Sequence, residues 1–595
     1  MLKSLRSHYI VLLLFVVSIG LYYGSLIEIF YRPNAISLDD NDLMLHLLNH
    51  RLTLKDIFVP DGFGKYYRPF LSLSFFIDQR LYGEMPFGFR LTNILIHALN
   101  VILIYILGRM LFRNAARKEE IAFFSALLFA VHPAAVESVS WISGRTDSLA
   151  VFWSLSTIIF YLAGRGSKRW YFLPVALFCM VAAVLSKEVA VVIPVLMVIW
   201  EFFYHHSFGF KKTKYAPLAS ALFIALVPLY LHLRSSGLAA GDMGIELIKS
   251  GFMDQGVLSS GILFFASIGF YSKKFIFPFP LNIAIVNINI TLYAFVGFLS
   301  LVIAAGLAFL KDLRQRHFFL VWSLLGILPA ALISFTTIAW TPWAERYLYF
   351  SLVPLSIFIV ICFFGLLELQ RGYFKRILPV IGLSILIVFS ISTVHRSFLW
   401  NDDLRLWGDS YRKSPDFIYA AVGYATVLAK RGEIKEAEKT LNKARELPGA
   451  KHTLFFHLGQ INSTRGDNVL AKKYYRLALQ EAQADKKLVL MGPRLKSSIL
   501  MSLAAVNLHE GDRSSNQIVK RQYYREAAVD FIKAYHEDSS NAFLLYRIAK
   551  LYLITGSKDE AATYFENFIE KWGEDHYKQA ARRMLENKKN RKPKV

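Results

Sequence analysis

The stretch "IAFFSALLFAVHPAAVESVSWISGRTDSLAVFWSLSTIIFYLAG", residues 121–164, decides the fold. It contains two apolar runs of the length that a bilayer-crossing helix needs. The segment that joins them holds His132, Glu137, Arg145 and Asp147. Ionisable residues at membrane depth usually face the protein interior or a water-filled cavity, and they mark functional sites. The stretch therefore predicts a membrane protein with a candidate site where the two runs meet.

The composition supports a membrane protein and argues against a nucleic-acid-binding one. The chain has 595 residues, of which 55% are hydrophobic, with a formal net charge of +24. Much of the positive charge lies in short loops between apolar runs, where the positive-inside rule places Lys and Arg. Both cysteines, Cys179 and Cys362, fall in apolar runs and indicate neither a disulfide framework nor a metal site.

Hydropathy predicts eleven membrane spans, all of them before residue 395. The first run follows a short basic start and lacks a convincing cleavage site, so we interpret it as a retained helix rather than a signal peptide. The predicted spans are 9–30, 92–112, 121–136, 147–164, 170–186, 188–204, 216–233, 292–310, 317–337, 347–369 and 377–393.

Loop charge predicts the orientation. With the N-terminus in the cytoplasm, the inside loops are all basic: "FRNAARKEE", "GRGSKRW", "FKKTK", "KDLRQRH" and "QRGYFKR". The outside loops are 31–91, 137–146, 234–291 and 338–346. We interpret residues 261–282, which are apolar but hold two lysines and two prolines, as a helix that lies at the outer surface or dips into it. The C-terminus is then extracytoplasmic, and the protein integral to the cell (inner) membrane.

A helical repeat array follows the membrane domain, which we assign to residues 1–394. Gly432 and Gly466 lie 34 residues apart, as do Ala437 and Ala471. A later copy repeats the step from glycine to alanine with Gly556 and Ala561, and a copy with an insertion, marked by Gly511 and Ala527, lies between. This period is typical of tetratricopeptide repeats. We therefore predict a repeat domain over 395–595, with about four repeats in 417–574, an α-solenoid whose concave face commonly binds proteins.

The remaining charged groups converge on the predicted outer face. Two acidic clusters lie there, one in "SLDDND" after the first span and one around Glu137, together with several cations. The candidate site residues are Asp39, Asp40, Tyr67, Arg68, His132, Glu137, Arg145, Asp147, Lys187, Glu188, Arg346 and Tyr347.

Each candidate also has a structural interpretation. Aspartates before "LMLHLLNH" are suited to capping a helix. Glu137 and Arg145 are suited to a structural ion pair, and Lys187 with Glu188 to a solvated turn. Arg346 is suited to anchoring the head of a span, and His132 to capping the end of its helix. The joint pattern, acids and cations on one face, favours a functional site over these separate interpretations.

Sugar transfer from a lipid phosphate suits this combination of residues. A carboxylate next to an acceptor hydroxyl can take its proton as the new bond forms. The anomeric carbon gains positive character in the transition state. Arg or Lys stabilises the leaving phosphate. The lipid tail of the donor would stay in the bilayer, which explains a site at the membrane edge.

The same residues resemble a known family. The acidic pair after the first span, "YYRPFLSLSFFIDQRLYG", "FGFRLTNILIHALN", "HPAAVESVSWISGRTD", "LSKE" and "AERYLY" occur in the order seen in the transmembrane and tetratricopeptide-repeat O-mannosyltransferases and their bacterial relatives. These are GT-C glycosyltransferases. The resemblance covers nearly the whole chain and implies an inverting transfer from a polyprenyl-phosphate sugar on the extracytoplasmic side.

The resemblance also implies roles. The acidic pair falls on Asp39 and Asp40, of which we favour Asp40 as the general base. Glu137 would orient acceptor or donor, and Arg68, Arg145, Lys187 and Arg346 would contact the donor phosphate. Relatives often have a histidine where this chain has Arg90, which leaves that position without an implied role. The acidic clusters permit a divalent metal, Mg²⁺ or Mn²⁺, but their spacing does not demand one.

We therefore predict an all-α, polytopic glycosyltransferase of GT-C type. It would move a hexose, with mannose favoured by the resemblance, from a polyprenyl-phosphate donor to a hydroxyl, with a protein Ser or Thr preferred. The repeats would bind the protein or peptide acceptor. The alternatives are glycosylation of a lipid or surface polymer, and a non-catalytic scaffold. A transporter would place its ionisable groups near the bilayer midplane, and this chain does not.

Overall fold

The structure, a computed structural model, divides the chain into two compact units, Met1–Lys413 and Ser414–Val595. The structure describes residues 2–31, 40, 44, 52–58, 67–165, 171–211, 220–226, 228, 230, 239–310, 313–334, 341–484, 492–539, 541–573 and 576–589. Helices dominate both units, which confirms the predicted all-α class.

The first unit is a bundle of sixteen helices in the described ranges. Short 3₁₀ turns at Pro133–Ala135, Glu188–Val191 and Glu345–Leu348 directly precede the helices that begin at Val136, Val192 and Tyr349. The helices are α1 Leu2–Leu21, α2 Tyr23–Tyr31, α3 Leu54–Phe58, α4 Pro69–Tyr82, α5 Pro86–Leu111, α6 Lys118–Val131, α7 Val136–Ser140, α8 Arg145–Arg165, α9 Phe172–Val184, α10 Val192–Ile199, α11 Ala239–Ile276, α12 Ile290–Ala308, α13 Arg314–Ile333, α14 Tyr349–Leu369, α15 Gly372–Leu399 and α16 Asp403–Lys413.

Seven helical segments in the described ranges are long and apolar enough to cross a membrane. They start at Pro86, Arg145, Glu188, Ile290, Arg314, Glu345 and Gly372. A further pair, α6 with the segment Pro133–Ser140, is bent by 55° and would make an eighth span. The predicted spans 9–30 and 170–186 contain shorter apolar helices, and half of 216–233 lies outside the described residues. The predicted count of eleven therefore stays a prediction.

Residues 261–276 form the last part of α11, and the predicted placement of residues 261–282 at the outer surface, or dipping into it, stays a prediction. Their helix, α11, runs antiparallel to the candidate span α12, with Gly269 against Tyr293 and Gly297 against Phe265. A Cβ on either glycine would overlap the backbone of the other helix, so the close approach requires the absence of a side chain.

The second unit is a series of helical hairpins. Its helices are α17 Ile418–Lys430, α18 Ile434–Lys443, α19 Lys451–Thr464, α20 Asn468–Ala484, α21 Gly492–Arg513, α22 Gln517–Glu537, α23 Phe543–Thr555, α24 Lys558–Lys571 and α25 His576–Lys589. Gly432, Gly466 and Gly556 have positive φ at the turns between paired helices, a conformation that favours glycine. The repeat pattern thus has the structural basis that the spacing predicts.

Small residues form the crossings of these hairpins. Ala437, Ala471, Ala527 and Ala561 are buried, one in each pair. The third pair differs from the sequence expectation, because Gly511 lies inside α21 rather than at a turn. There it leaves room for the Tyr524 ring of the partner helix.

The structure divides the chain after Lys413 rather than at the predicted 394. Helix α15 continues to Leu399, and Leu406 of α16 is buried in the core of the first unit. Arg396 of α15 pairs with Asp409 of α16, with 3.2 Å between Nη1 and Oδ2. Helix α16 is therefore part of the membrane unit.

The glycine contact between α11 and α12 gives a stability prediction. Gly269→Leu should lower the free energy of unfolding by about 1–3 kcal/mol, because the added side chain forces the helices apart. Gly261→Leu on the same helix is the control, since a Cβ there meets no atom within 4 Å. Thermal unfolding of the purified protein in detergent measures both. Equal shifts in the two variants would contradict the packing described.

Candidate active site

The candidate site is formed where several helices begin at the same end of the first unit. Helix α8 begins at Arg145, and the two 3₁₀ turns that open later spans begin at Glu188 and Glu345. The bent segment Pro133–Ser140 reaches the same end. Four of the predicted residues make ion pairs that join these helix starts to one another.

Glu137 and Arg346 form the central pair. Arg346 Nη1 lies 2.5 Å from Glu137 Oε1, and the Arg346 backbone N–H donates to Glu137 Oε2 at 3.0 Å. The guanidinium also lies over the rings of Trp141 and Tyr347, at 5.2 and 4.8 Å from their centroids. Glu137 is buried, whereas the Arg346 side chain is 12% exposed. The pair holds one cation in a fixed orientation with an edge left open.

Lys187 and Arg68 add two more paired cations. Lys187 Nζ lies 2.5 Å from Asp147 Oδ1 and 5.6 Å from the centroid of the Tyr347 ring, the ring that Arg346 also contacts. Arg68 makes a two-point contact with Glu188, at 3.3 and 2.8 Å. The side chains of Lys187 and Arg68 are 14% and 18% exposed. Three cations thus lie at one end of the unit, each held by a carboxylate and each partly accessible.

Asp40 joins the segment after the first helices to this site. Its Oδ2 accepts from the Ile142 N–H at 2.8 Å, and its Oδ1 accepts from the N–H and the hydroxyl of Ser143, at 2.9 and 2.8 Å. The carboxyl group is fully buried. These contacts confirm that the acidic segment and the Glu137 segment meet, but they do not favour the base role that the sequence analysis gave to Asp40. Asp39 lies outside the described residues.

Arg145, one of the predicted phosphate contacts, is held by protein partners on every side that the structure describes. It is fully buried, and its guanidinium pairs with Asp78 at 2.5 Å over the ring of Phe75. It also donates to Asn93 Oδ1 at 2.6 Å and to the Phe89 carbonyl at 2.7 Å. These partners lie on α4 and α5, so Arg145 fixes the start of α8 against both helices.

Asp78 was missed in the sequence because it lies one turn from the end of an otherwise ordinary amphipathic helix. Burial raises the pKa of its carboxyl group, while Arg145 and the hydroxyl of Thr92, at 2.8 Å, lower it. Its pairing with the fully buried Arg145 is nevertheless direct, at 2.5 Å. The contact between Asp78 and the buried Arg145 can be recognised only once the fold is known.

The contacts of His132 fit its structural interpretation, a cap at the end of its helix, better than a role in substrate binding. Its Nδ1 accepts from the Ala134 N–H at 3.3 Å, and its Nε2 bonds the Phe275 carbonyl at 2.9 Å. The ring is fully buried and stacks on Phe275. The predicted substrate contact is therefore not supported. Tyr67 is half-buried at the start of α4, beside Arg68.

Arg90, the position without an implied role, connects distant segments. Its guanidinium donates to the Asn401 side chain and to the carbonyls of Ser25 and Trp400, at 2.9 to 3.2 Å. Asn401 in turn donates to the Gly24 carbonyl at 2.6 Å. The arginine therefore ties α2 and α5 to the turn that follows α15.

The described residues show no group of three or more His, Cys, Asp or Glu side chains that could hold a metal ion. The carboxylates at the site are instead paired with cations or, for Asp40, with N–H and O–H donors.

Comparisons with known proteins agree with the predicted resemblance. Residues 71–232 match the family described as dolichyl-phosphate-mannose-protein mannosyltransferase, and residues 544–570 match the tetratricopeptide repeat. A protein O-mannosyl-transferase of Caenorhabditis elegans is 24% identical over 462 residues, covering 73% of this chain and 62% of that protein. The resemblance to O-mannosyltransferases with tetratricopeptide repeats is thereby confirmed.

Two further relatives match shorter segments. Protein O-mannosyl-transferase TMTC1 of Mus musculus is 33% identical over 150 residues, covering 23% of this chain and 16% of that protein. Tmtc3 of Drosophila melanogaster is 28% identical over 205 residues, covering 28% and 21%. The chain thus spans less than two thirds of the length of these curated relatives.

Among solved structures, yeast Tom70 is 14% identical and covers 82% of this chain and 96% of its own, with a TM-score of 0.27. MamA is 18% identical and covers 28% and 85%, with a TM-score of 0.22. Scores this low carry no further inference.

The contacts of Asp40 give a prediction. Asp40→Asn should lower the free energy of unfolding by about 2–3 kcal/mol, because the amide leaves a buried N–H of the Ile142–Ser143 turn without an acceptor. Ser143→Ala, which removes one of the three donors, should cost less. Glu84→Gln, at an exposed carboxylate, is the control. An Asp40→Asn protein as stable as the control would contradict this role for Asp40.

Proposed function

We propose that this protein is an integral membrane glycosyltransferase that transfers a hexose from a polyprenyl-phosphate carrier to a hydroxyl group. The relatives favour mannose as the sugar and a protein Ser or Thr as the acceptor, since they are named protein O-mannosyl-transferases. The reaction would take place on the extracytoplasmic side with inversion at the anomeric carbon, as the resemblance implies.

One observation carries this proposal: Arg346, Lys187 and Arg68 lie at one end of the membrane unit, partly exposed and each held by a carboxylate. The donor is a phosphodiester with one negative charge. When its bond to the sugar breaks, the departing phosphate monoester gains most of a second charge. Fixed cations next to that phosphate stabilise the transition state more than the bound donor, which is the condition for a faster reaction.

Arg346 is the best placed of the three for the phosphate. Its guanidinium is oriented by Glu137 through both the side chain and the backbone N–H. A planar guanidinium can bond two phosphate oxygens at once. Lys187 lies across the same tyrosine ring, so a phosphate next to Tyr347 could meet both cations. Glu137 then acts by positioning Arg346.

We assign the general base to the acidic pair and, within it, to Asp39. The Asp40 carboxylate already accepts three hydrogen bonds from Ile142 and Ser143, and it is fully buried. Asp40 would position the segment, while its neighbour takes the proton of the acceptor hydroxyl as oxygen attacks the anomeric carbon. One displacement of this kind inverts that carbon. The repeat unit would bind the acceptor protein.

The proposal predicts the behaviour of Arg346 variants. Arg346→Ala should reduce transfer by about 10- to 100-fold, the loss expected when a charge-assisted hydrogen bond of about 1.5–3 kcal/mol is removed. Arg346→Lys keeps the charge and should lose less. The assay supplies radiolabelled polyprenyl-phosphate mannose to membranes that contain the full chain. It then measures mannose released from protein by β-elimination, which is specific for Ser and Thr linkages.

Asp39→Asn should abolish transfer without lowering thermal stability, and Arg371→Ala, at an exposed arginine, is the control. Label in lipid or polymer instead of protein would move the acceptor to those classes. No transfer by the wild-type protein, or full transfer by both Arg346→Ala and Asp39→Asn, would reject the enzyme in favour of a scaffold.

A further inference from the structure

A second buried network lies directly behind Arg346. Its centre is Glu345, the preceding residue, whose side chain is 1% exposed. Glu345 Oε1 accepts from Lys274 Nζ at 2.9 Å and from the Asn282 N–H at 2.8 Å. On its other side, Oε2 lies 3.7 Å from Arg396 Nη2. One carboxylate thus joins α11, the loop after it and α15.

The network continues to α16, the last helix of the membrane unit. Arg396 pairs with Asp409, which also pairs with Lys413 at 2.7 Å. Lys413 donates to the Leu281 carbonyl at 2.7 Å. Ser410 of the same helix donates to the Asn282 side chain at 2.9 Å. Helix α16 therefore holds the loop that contacts Glu345, through Lys413 and Ser410.

We infer that Glu345 is a positioning residue for Arg346, and that Lys274, Arg396 and the Asp409 end of α16 act on the donor site through it. This inference rests on the proposed role of Arg346 in donor binding. Glu345 and Arg346 open the same 3₁₀ turn, yet one is buried among cations and the other is partly exposed against Glu137.

The geometry explains how the effect would travel. Arg346 is oriented partly through its own backbone N–H, which bonds Glu137 Oε2 at 3.0 Å. That N–H belongs to the peptide group that joins Glu345 to Arg346. An anchored Glu345 side chain therefore fixes the position of this N–H group. Loss of the anchor lets the turn shift, and a shift of about 1 Å in a positioned group is enough to weaken a reaction strongly. Besides stabilising the fold, the charged network therefore helps to fix the orientation of Arg346 at the site.

A double-mutant cycle tests the inference. The full chain is purified in lipid nanodiscs, and the Kd of radiolabelled polyprenyl-phosphate mannose is measured for wild type, Glu345→Gln, Arg346→Ala and the double variant. We expect Glu345→Gln to raise the Kd by about 5- to 10-fold in the wild-type background. With Arg346 already replaced, it should change the Kd by less than about 2-fold, since groups that act through one another are not additive.

The control is Glu201→Gln. Glu201 is also a buried carboxylate in an ion pair, with Arg165, but it lies near the opposite end of α8. It should lower the midpoint of thermal unfolding and leave the Kd unchanged. Glu345→Asp keeps the charge and should restore part of the affinity lost in Glu345→Gln. A merely structural role for Glu345 would give neither the rescue nor the dependence on Arg346.

The outcomes separate the inference from the proposed function. If Arg346→Ala leaves donor binding unchanged, the proposed role of Arg346 is wrong and the inference falls with it. If Arg346→Ala weakens binding but Glu345→Gln does not, or weakens it equally in both backgrounds, the inference alone is wrong. If Glu345→Gln fails to fold, Asp409→Asn, one step further along the network, replaces it under the same criteria.

Discussion

At one end of the membrane unit, the described buried charges are held by partners from other segments, and this is the constraint on which the rest of the structure depends. An unpaired charge in a poorly solvated interior costs several kcal/mol, and removing one partner of a buried pair is more damaging than never having had the pair. Here the partners come from different segments: Glu137 with Arg346, Arg145 with Asp78, and Glu345 with Lys274. Each pair therefore fixes two helix ends relative to one another.

This arrangement also determines what the site can offer a ligand. A fully buried cation such as Arg145 is committed to its protein partners, whereas a cation at 12–18% exposure keeps an edge that a phosphate can reach. Its carboxylate partner holds it in place before the ligand arrives, so little side-chain freedom is lost on binding. The electrostatic field at the site is weaker as a result, because each positive charge is largely balanced by its carboxylate partner. With the donor proposed above, such a site would bind the singly charged diester moderately and gain most as the phosphate acquires further charge.

The sequence predicts those features that depend on local pattern. Hydropathy located most of the candidate spans, and the 34-residue spacing predicted the hairpins whose turns are at Gly432 and Gly466. It also predicted that the acidic segment and the Glu137 segment meet, which Asp40 confirms through Ile142 and Ser143. It did not predict the partners, because Glu137 and Arg346 are 209 residues apart and any rim cation could have served. It also did not predict that Lys274 is buried against Glu345, because a lysine usually looks exposed in a sequence.

In two motifs of this chain, one charged side chain is buried and a nearby one contributes to the accessible site. The sequence alone does not show which of the two is buried. Glu345 is buried among cations while Arg346 reaches the site edge. Arg145 is buried against Asp78, while Asp147, on the same turn of α8, pairs with the accessible Lys187. In both motifs one charge anchors the backbone and another, one or two residues away, is held at the site. In both motifs the buried member gives its neighbour the fixed origin that positioned chemistry requires.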